Sequence, residues 1–157
     1  MSDVRYSFYQ APQPTPAAID SQLPRLLEKV LDKGYTAYVC CHSEERAERL
    51  SEALWGYDPT SFLPHGLSGE GHDEHQPVLI GHTLEAPKNK ATVMVIISGA
   101  HADYPDKTPA GIERVVDIFE SSEKQKQAAR ERWKHLLAKG VQPEYFAHEQ
   151  GGWHKRG

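Results

Sequence analysis

Thr92-Val93-Met94-Val95-Ile96-Ile97 is the run on which the fold turns. It is short, continuously apolar and rich in β-branched residues, as a strand covered on both faces of a parallel sheet must be. Working outward, Thr36–Cys41 (TAYVCC) has the same character, and Pro77-Val78-Leu79-Ile80 and Glu113–Phe119 (ERVVDIF) read as further strands. Val4–Tyr9 (VRYSFY) opens the chain as a strand, and the prolines between Ala11 and Pro16 end it. Helical spacing separates the strands. Leu23, Leu26, Leu27, Val30 and Leu31 share one face of a helix predicted from about Ala17 to Lys33, with Pro24 in its first regular turn and Gly34 at its C-terminus. Ser43 caps a second helix, whose buried stripe is Ala47, Leu50 and Leu54 with Trp55. A third runs from about Ser122 to Lys139 and stops at Gly140. Alternating strands and helices predict an α/β class chain: a single Rossmann-like three-layer domain with a mostly parallel sheet over residues 1–140. Residues 141–157 carry no firm pattern and read as a C-terminal tail.

At 157 residues the chain is long enough for one core, and 25% charged against 38% hydrophobic residues is ordinary for a soluble protein. No apolar run approaches the length of a membrane span. Met1–Arg5 has no basic start followed by an apolar stretch, so no secretory signal is expected. The only cysteines, Cys40 and Cys41, are adjacent, an awkward disulfide geometry that points to a reducing, cytoplasmic setting. The net charge of −4 is uneven: residues 1–122 hold 10 Lys and Arg against 18 Asp and Glu, whereas residues 123–157 hold 8 against 4. A basic end on an acidic body predicts an acidic partner near the C-terminus, and no direct binding of duplex DNA.

Three kinds of chemistry are weighed against plainer readings. Gly66-Leu67-Ser68-Gly69-Glu70-Gly71 lacks the spacing of a dinucleotide or P-loop motif, does not join the first strand to the first helix, and carries a glutamate that repels phosphate. His65, His72, Asp73, Glu74 and His75 cluster in sequence, but a glycine-rich loop fixes no ligand geometry, so no metal and no cofactor are expected. Cys40, Cys41 and His42 sit at a strand end, where α/β proteins place reactive groups; without a nucleophile elbow, buried structural thiols are the reading adopted. A small nucleotide-binding or hydrolytic α/β enzyme using these residues is the alternative to a binding protein.

The last helix is the more informative feature. Lys124, Lys126, Arg130, Arg132, Lys134 and Lys139 stand against Glu123 and Glu131. Lys126, Arg130, Trp133, Lys134 and Leu137 recur at steps of three or four and share a face, while Ala129 and Leu136 suit the packed one. Cations beside an aromatic ring suit an acidic segment with an apolar anchor; a bare single-stranded nucleic acid is a further reading. A second group, Leu54, Trp55, Phe62, Leu63 and Pro64, either covers the core or meets a protein partner.

These residues resemble a known family. Glu52-Ala53-Leu54-Trp55, the stretch Ser61–Gly71 with its F-x-P-H-x-L-x-G-E-G pattern, Pro77–Ile80, Val115-Val116-Asp117 and Lys126–Lys134 resemble the chi subunit of bacterial DNA polymerase III in order and separation, across most of residues 36–140. The resemblance implies a non-enzymatic subunit of the polymerase (a nucleotidyltransferase complex). Such a subunit has a fold like that of nucleotide-binding proteins but no nucleotide site. It binds the acidic C-terminal tail of single-stranded DNA-binding protein, and through the psi subunit it is tethered to the clamp loader. Carried over by position, the tail-binding residues are Phe119, Lys126, Arg130, Trp133 and Lys134, and the psi-binding residues are Trp55, Phe62, Pro64 and His65. The chain departs from the family pattern at Trp133, where a tyrosine is frequent, at Phe119, where a smaller aliphatic residue is usual, and beyond Gly140.

Overall fold

The computed structural model describes residues 4–56, 64–149 and 152–156. Strands β1 (Arg5–Gln10), β2 (Ala37–Cys40), β4 (Val78–Gly81), β5 (Val93–Ile97) and β6 (Arg114–Phe119) fall where the apolar runs predict them. The two-residue β3 (Gly66–Leu67) completes one edge, and β7 (Glu144–Glu149) and β8 (Gly152–Arg156) the other. The sheet order is β3-β4-β2-β5-β6-β1-β7-β8, parallel throughout except for the β7–β8 pair.

Helices α1 (Pro16–Asp32), α2 (Glu44–Trp55), α3 (Tyr104–Lys107) and α4 (Glu123–Ala138) link the strands. The period-two alternation of a strand divides the core between the two faces. Val93, Val95 and Ile97 of β5 join Leu23, Leu27 and Leu50 of α1 and α2 on one face, whereas Met94 and Ile96 join Tyr104 of α3 and Leu136 of α4 on the other. Ser43 caps α2 by accepting from the Arg46 N–H, and Ser122 caps α4 by accepting from that of Gln125. Arg46, itself buried, ties α2 to α1 through Asp20, with Nη2 2.7 Å from Oδ1. Gly34 and Gly140 end α1 and α4 at φ 85° and 83°, a region costly for residues with a Cβ.

Two differences from the sequence reading bear on how the sheet and its first helix are built. Pro16, not Pro24, occupies the first turn of α1, and Pro24 lies inside the helix. The N–H that Pro24 lacks is offset by the burial of Leu23, Leu26 and Leu27 around it. Residues set aside as a tail beyond 140 extend the sheet: Phe8 pairs with Tyr145 and Tyr9 with Phe146 across β1 and β7. Their rings decide the matter. Phe146 stacks on Tyr9 at 4.7 Å, and Trp153 meets the same ring edge-on at 5.0 Å, so these aromatics gain a partner only once β1 lies beside them.

Candidate functional site: a cation-rimmed groove beside the last helix

Arg132 fixes how α4 lies on the sheet. Its Nε and Nη2 donate to Asp117 of β6 at 2.6 and 2.9 Å, and the Tyr104 hydroxyl donates to the same carboxylate at 2.7 Å. All three side chains are buried. Burial works against the charge of Arg132, but the facing Asp117 carboxylate outweighs it and holds the guanidinium above its usual range. Arg132 is therefore not one of the surface cations among which its position in sequence counts it. With Arg132, Ala129 and Leu136 turned inward, α4 presents Lys126, Arg130 and Trp133 towards β1 and β7.

A groove of ≈ 490 Å³ opens there. Phe8, Phe119 and Ala129 line its buried base. Trp133 is half-buried and meets Phe8 at 5.4 Å and Tyr145 at 6.3 Å, both edge to face. Lys126, Arg130, Lys155 and Arg156 contribute cations to the lining. Lys126 lies 3.0 Å from Glu123, and Arg130 donates to Gln127 at 3.4 Å. One carboxylate, Glu144, joins the lining, and Lys155 neutralises it at 2.9 Å. Tyr145 donates a short hydrogen bond to Gln10. Burial pushes its hydroxyl up while the cations Arg130 and Arg156 pull it down, so both act electrostatically on one point in the groove.

Four of the five residues carried over to this surface, Phe119, Lys126, Arg130 and Trp133, line one cavity. Lys134 does not: it is exposed and lies 3.9 Å from Glu131, turned from the groove. In the second group, Trp55 is exposed at the end of α2 and not part of its buried stripe, and its ring lies 4.2 Å from that of His65, which is buried with Nε2 3.3 Å from the Ser51 carbonyl. Pro64 is half-buried next to it, Leu54 belongs to the core, and Phe62 lies outside the described residues.

Residues 1–144 match the family model for the DNA polymerase III chi subunit, HolC. The chain belongs to the DNA polymerase III chi subunit family. It is 33% identical to DNA polymerase III subunit chi of Escherichia coli (strain K12) over 107 residues, 68% of this chain and 70% of the relative. It is 26% identical to DNA polymerase III subunit chi of Haemophilus influenzae over 115 residues, 73% of this chain and 77% of the relative. Membership of the chi family makes the protein an accessory subunit in DNA replication. The family match ends at Glu144, so the chi-type region contains α4 but not the rest of β7 or β8. Tyr145, Lys155 and Arg156 are groove residues that a reading of the helix alone misses. The available signal was the basic Lys155-Arg156 pair near the end of the chain.

The other sites considered from sequence resolve differently in this chi-family chain. Cys40 and Cys41 are fully buried, and burial pushes each thiol up to about 12, so both are protonated at neutral pH. In the glycine-rich loop, Asp73 accepts from the Gly69 N–H at 3.0 Å and from the Ser68 hydroxyl at 3.2 Å, closing a turn. Among the described residues, no three His, Cys, Asp or Glu side chains are grouped to hold a metal ion, and no helix is long and apolar enough to cross a membrane.

Proposed function

We propose that this chain is a non-catalytic, cytoplasmic adaptor of the replicative polymerase whose α4 groove grips the acidic C-terminal tail of single-stranded DNA-binding protein. One observation carries the reading: an apolar hollow floored by Phe8 and Phe119 is edged by Lys126, Arg130 and Arg156. A peptide end that combines acidic residues, a bulky apolar side chain and a free carboxylate matches that hollow term by term. Burying the side chain is worth roughly 1.5–3 kcal/mol. Exposed ion pairs add about 0.2–1 kcal/mol each and weaken with salt. After ordering costs, the affinity is modest, salt-sensitive and quickly reversed, as suits a link made and broken repeatedly.

Trp55, Phe62, Pro64 and His65 form the second contact, toward the psi subunit and through it the clamp loader. Exposed Trp55 supported by the His65 ring is an aromatic anchor of the kind that dominates protein interfaces. Two contacts on one small domain let it bridge the loader to the coated template. The protonated thiols and the turn-forming Asp73 support a role without bond chemistry.

Calorimetric titration with a synthetic acidic tail peptide tests the reading. The wild-type chain binds it and Arg130→Ala binds about tenfold or more weakly, at unchanged thermal stability; equal binding by both overturns the assignment.

A further inference from the structure

The hairpin β7–β8 has a groove on each side. The second, ≈ 630 Å³, lies on the opposite face of the sheet, between the hairpin and α1. Arg25 and Lys29 of α1, Lys33 at its C-cap and Arg114 of β6 line it, together with the rings of Tyr35 and Trp153. No residue of this groove belongs to the tail-binding surface or to the Trp55 group.

Three features of it call for a polyanion. First, Arg25 and Lys29 lie four residues apart, about 6 Å along α1, and Lys33 continues the row at the helix C-cap. All three are exposed, and none forms a side-chain ion pair or hydrogen bond among the described residues. Second, Arg114 is only partly satisfied. Its Nη2 donates to the Tyr9 hydroxyl at 3.2 Å, but its buried Nε has no acceptor among the described residues. Third, the opposing charge is small. Glu113 is the lining carboxylate, and nearby Glu144 is already held by Arg5 and Lys155. In a chain of net charge −4, this is a local reversal of sign.

The rings decide between polyanions. Tyr35 is 48% exposed at the mouth, and Trp153 is half-buried with its ring against Tyr9 and His148. An evenly spaced row of cations beside accessible aromatic faces fits a repeating phosphodiester with unpaired bases better than a short peptide of mixed sequence. We infer that the groove between α1 and the β7–β8 hairpin binds single-stranded nucleic acid, through phosphate contacts to Arg25, Lys29, Lys33 and Arg114 and base stacking on Tyr35 and Trp153. The inference goes beyond the tail-binding reading and uses different residues.

The test is fluorescence anisotropy of a labelled oligothymidylate against the full chain, from low to moderate salt. Wild-type protein binds, its tryptophan emission is quenched, and affinity falls with salt. The double variant Arg25→Glu/Lys29→Glu loses about tenfold or more in affinity. Its salt slope is shallower by about 1.4, at about 0.7 for each lost phosphate contact. Lys88→Glu/Lys90→Glu, with the same change of net charge at residues outside the lining, and Arg130→Ala both bind as wild type. Trp153→Ala binds but loses most of the quench. The inference is overturned if the oligonucleotide does not bind at low salt, if both double variants weaken it equally, or if Arg130→Ala abolishes it. It is equally overturned if an acidic peptide, and not the oligonucleotide, is the ligand lost in Arg25→Glu/Lys29→Glu.

Discussion

Arg132 Nε lies 2.6 Å from Asp117 Oδ2 with both residues buried, and this pair sets which face of α4 reaches solvent. Asp117 also accepts from Tyr104, so β6, α3 and α4 meet at one carboxylate. Removing one member leaves an unpaired charge in the core, whereas removing all polar members does not. Arg132→Ala is therefore expected to cost about 3–5 kcal/mol in urea unfolding. The combined Arg132→Met/Asp117→Leu/Tyr104→Phe variant should recover most of that loss. A triple variant no more stable than the single one would show that the network contributes more than it costs to desolvate.

The groove orders its cations by position. Arg130 lines the cavity and Lys134 does not, so the two are expected to differ although both sit on the exposed side of α4. Losing a charge-assisted hydrogen bond at Arg130→Ala should weaken the tail peptide about tenfold or more. Lys134→Ala should weaken it by less than about fivefold, as an exposed pair would. Trp133→Tyr should keep most of the affinity and Trp133→Ala little, because the ring forms a wall with Phe8 and Tyr145. Titrations at two salt concentrations separate the ionic share from the apolar one.

Trp55 is 56% exposed and belongs to neither face of the hydrophobic core, so its removal leaves the core packing in place. Trp55→Ala is expected to leave the melting temperature within a few degrees of wild type while reducing co-purification with clamp-loader subunits. Phe62→Asp should likewise reduce that co-purification. Normal co-purification of both variants would assign the patch to covering the core end.

The thiols give a pH prediction. Cys40 and Cys41 are held near 12 when folded, against a reference value of 9.0 when free. The folded state thus keeps protons that the unfolded state releases. The stabilisation is fully present below pH 9.0 and is lost progressively as pH rises from there towards about 12. A Cys40→Ala/Cys41→Ala variant should show a shallower decline across that range. Labelling by a thiol reagent at neutral pH should proceed at the rate of unfolding, and prompt labelling of the native protein would contradict the burial described.

Glu144 gives the opposite sign. Its hydrogen bond with Lys155, followed by the charges of Lys155 and Arg5, holds its carboxyl below the usual 4.5. The contact is at full strength above that value and is lost as pH falls through the lower, folded one. Acid titration followed by Trp153 fluorescence should therefore report loosening of the hairpin before the core unfolds, and Lys155→Ala should remove the early step.

Much of the architecture was legible in residue order alone. Short, β-branched apolar runs such as Thr92–Ile97 read as strands covered on both sides, and Ser43, Ser122, Gly34 and Gly140 mark helix ends by local chemistry that needs no tertiary partner. The spacing of Lys126, Arg130 and Trp133 likewise fixed them on one helical face. Only the tertiary structure decided which cation is interior, because Arg132 is told from Arg130 by the position of Asp117 across the sheet. It also decided the fate of β7 and β8, whose mixed rings and charges have no signature until β1 offers an edge and Tyr9 a ring to stack on. Periodicity is a property of one segment and can be read along the chain, whereas a groove lies between segments distant in sequence, and its walls exist only after they pack.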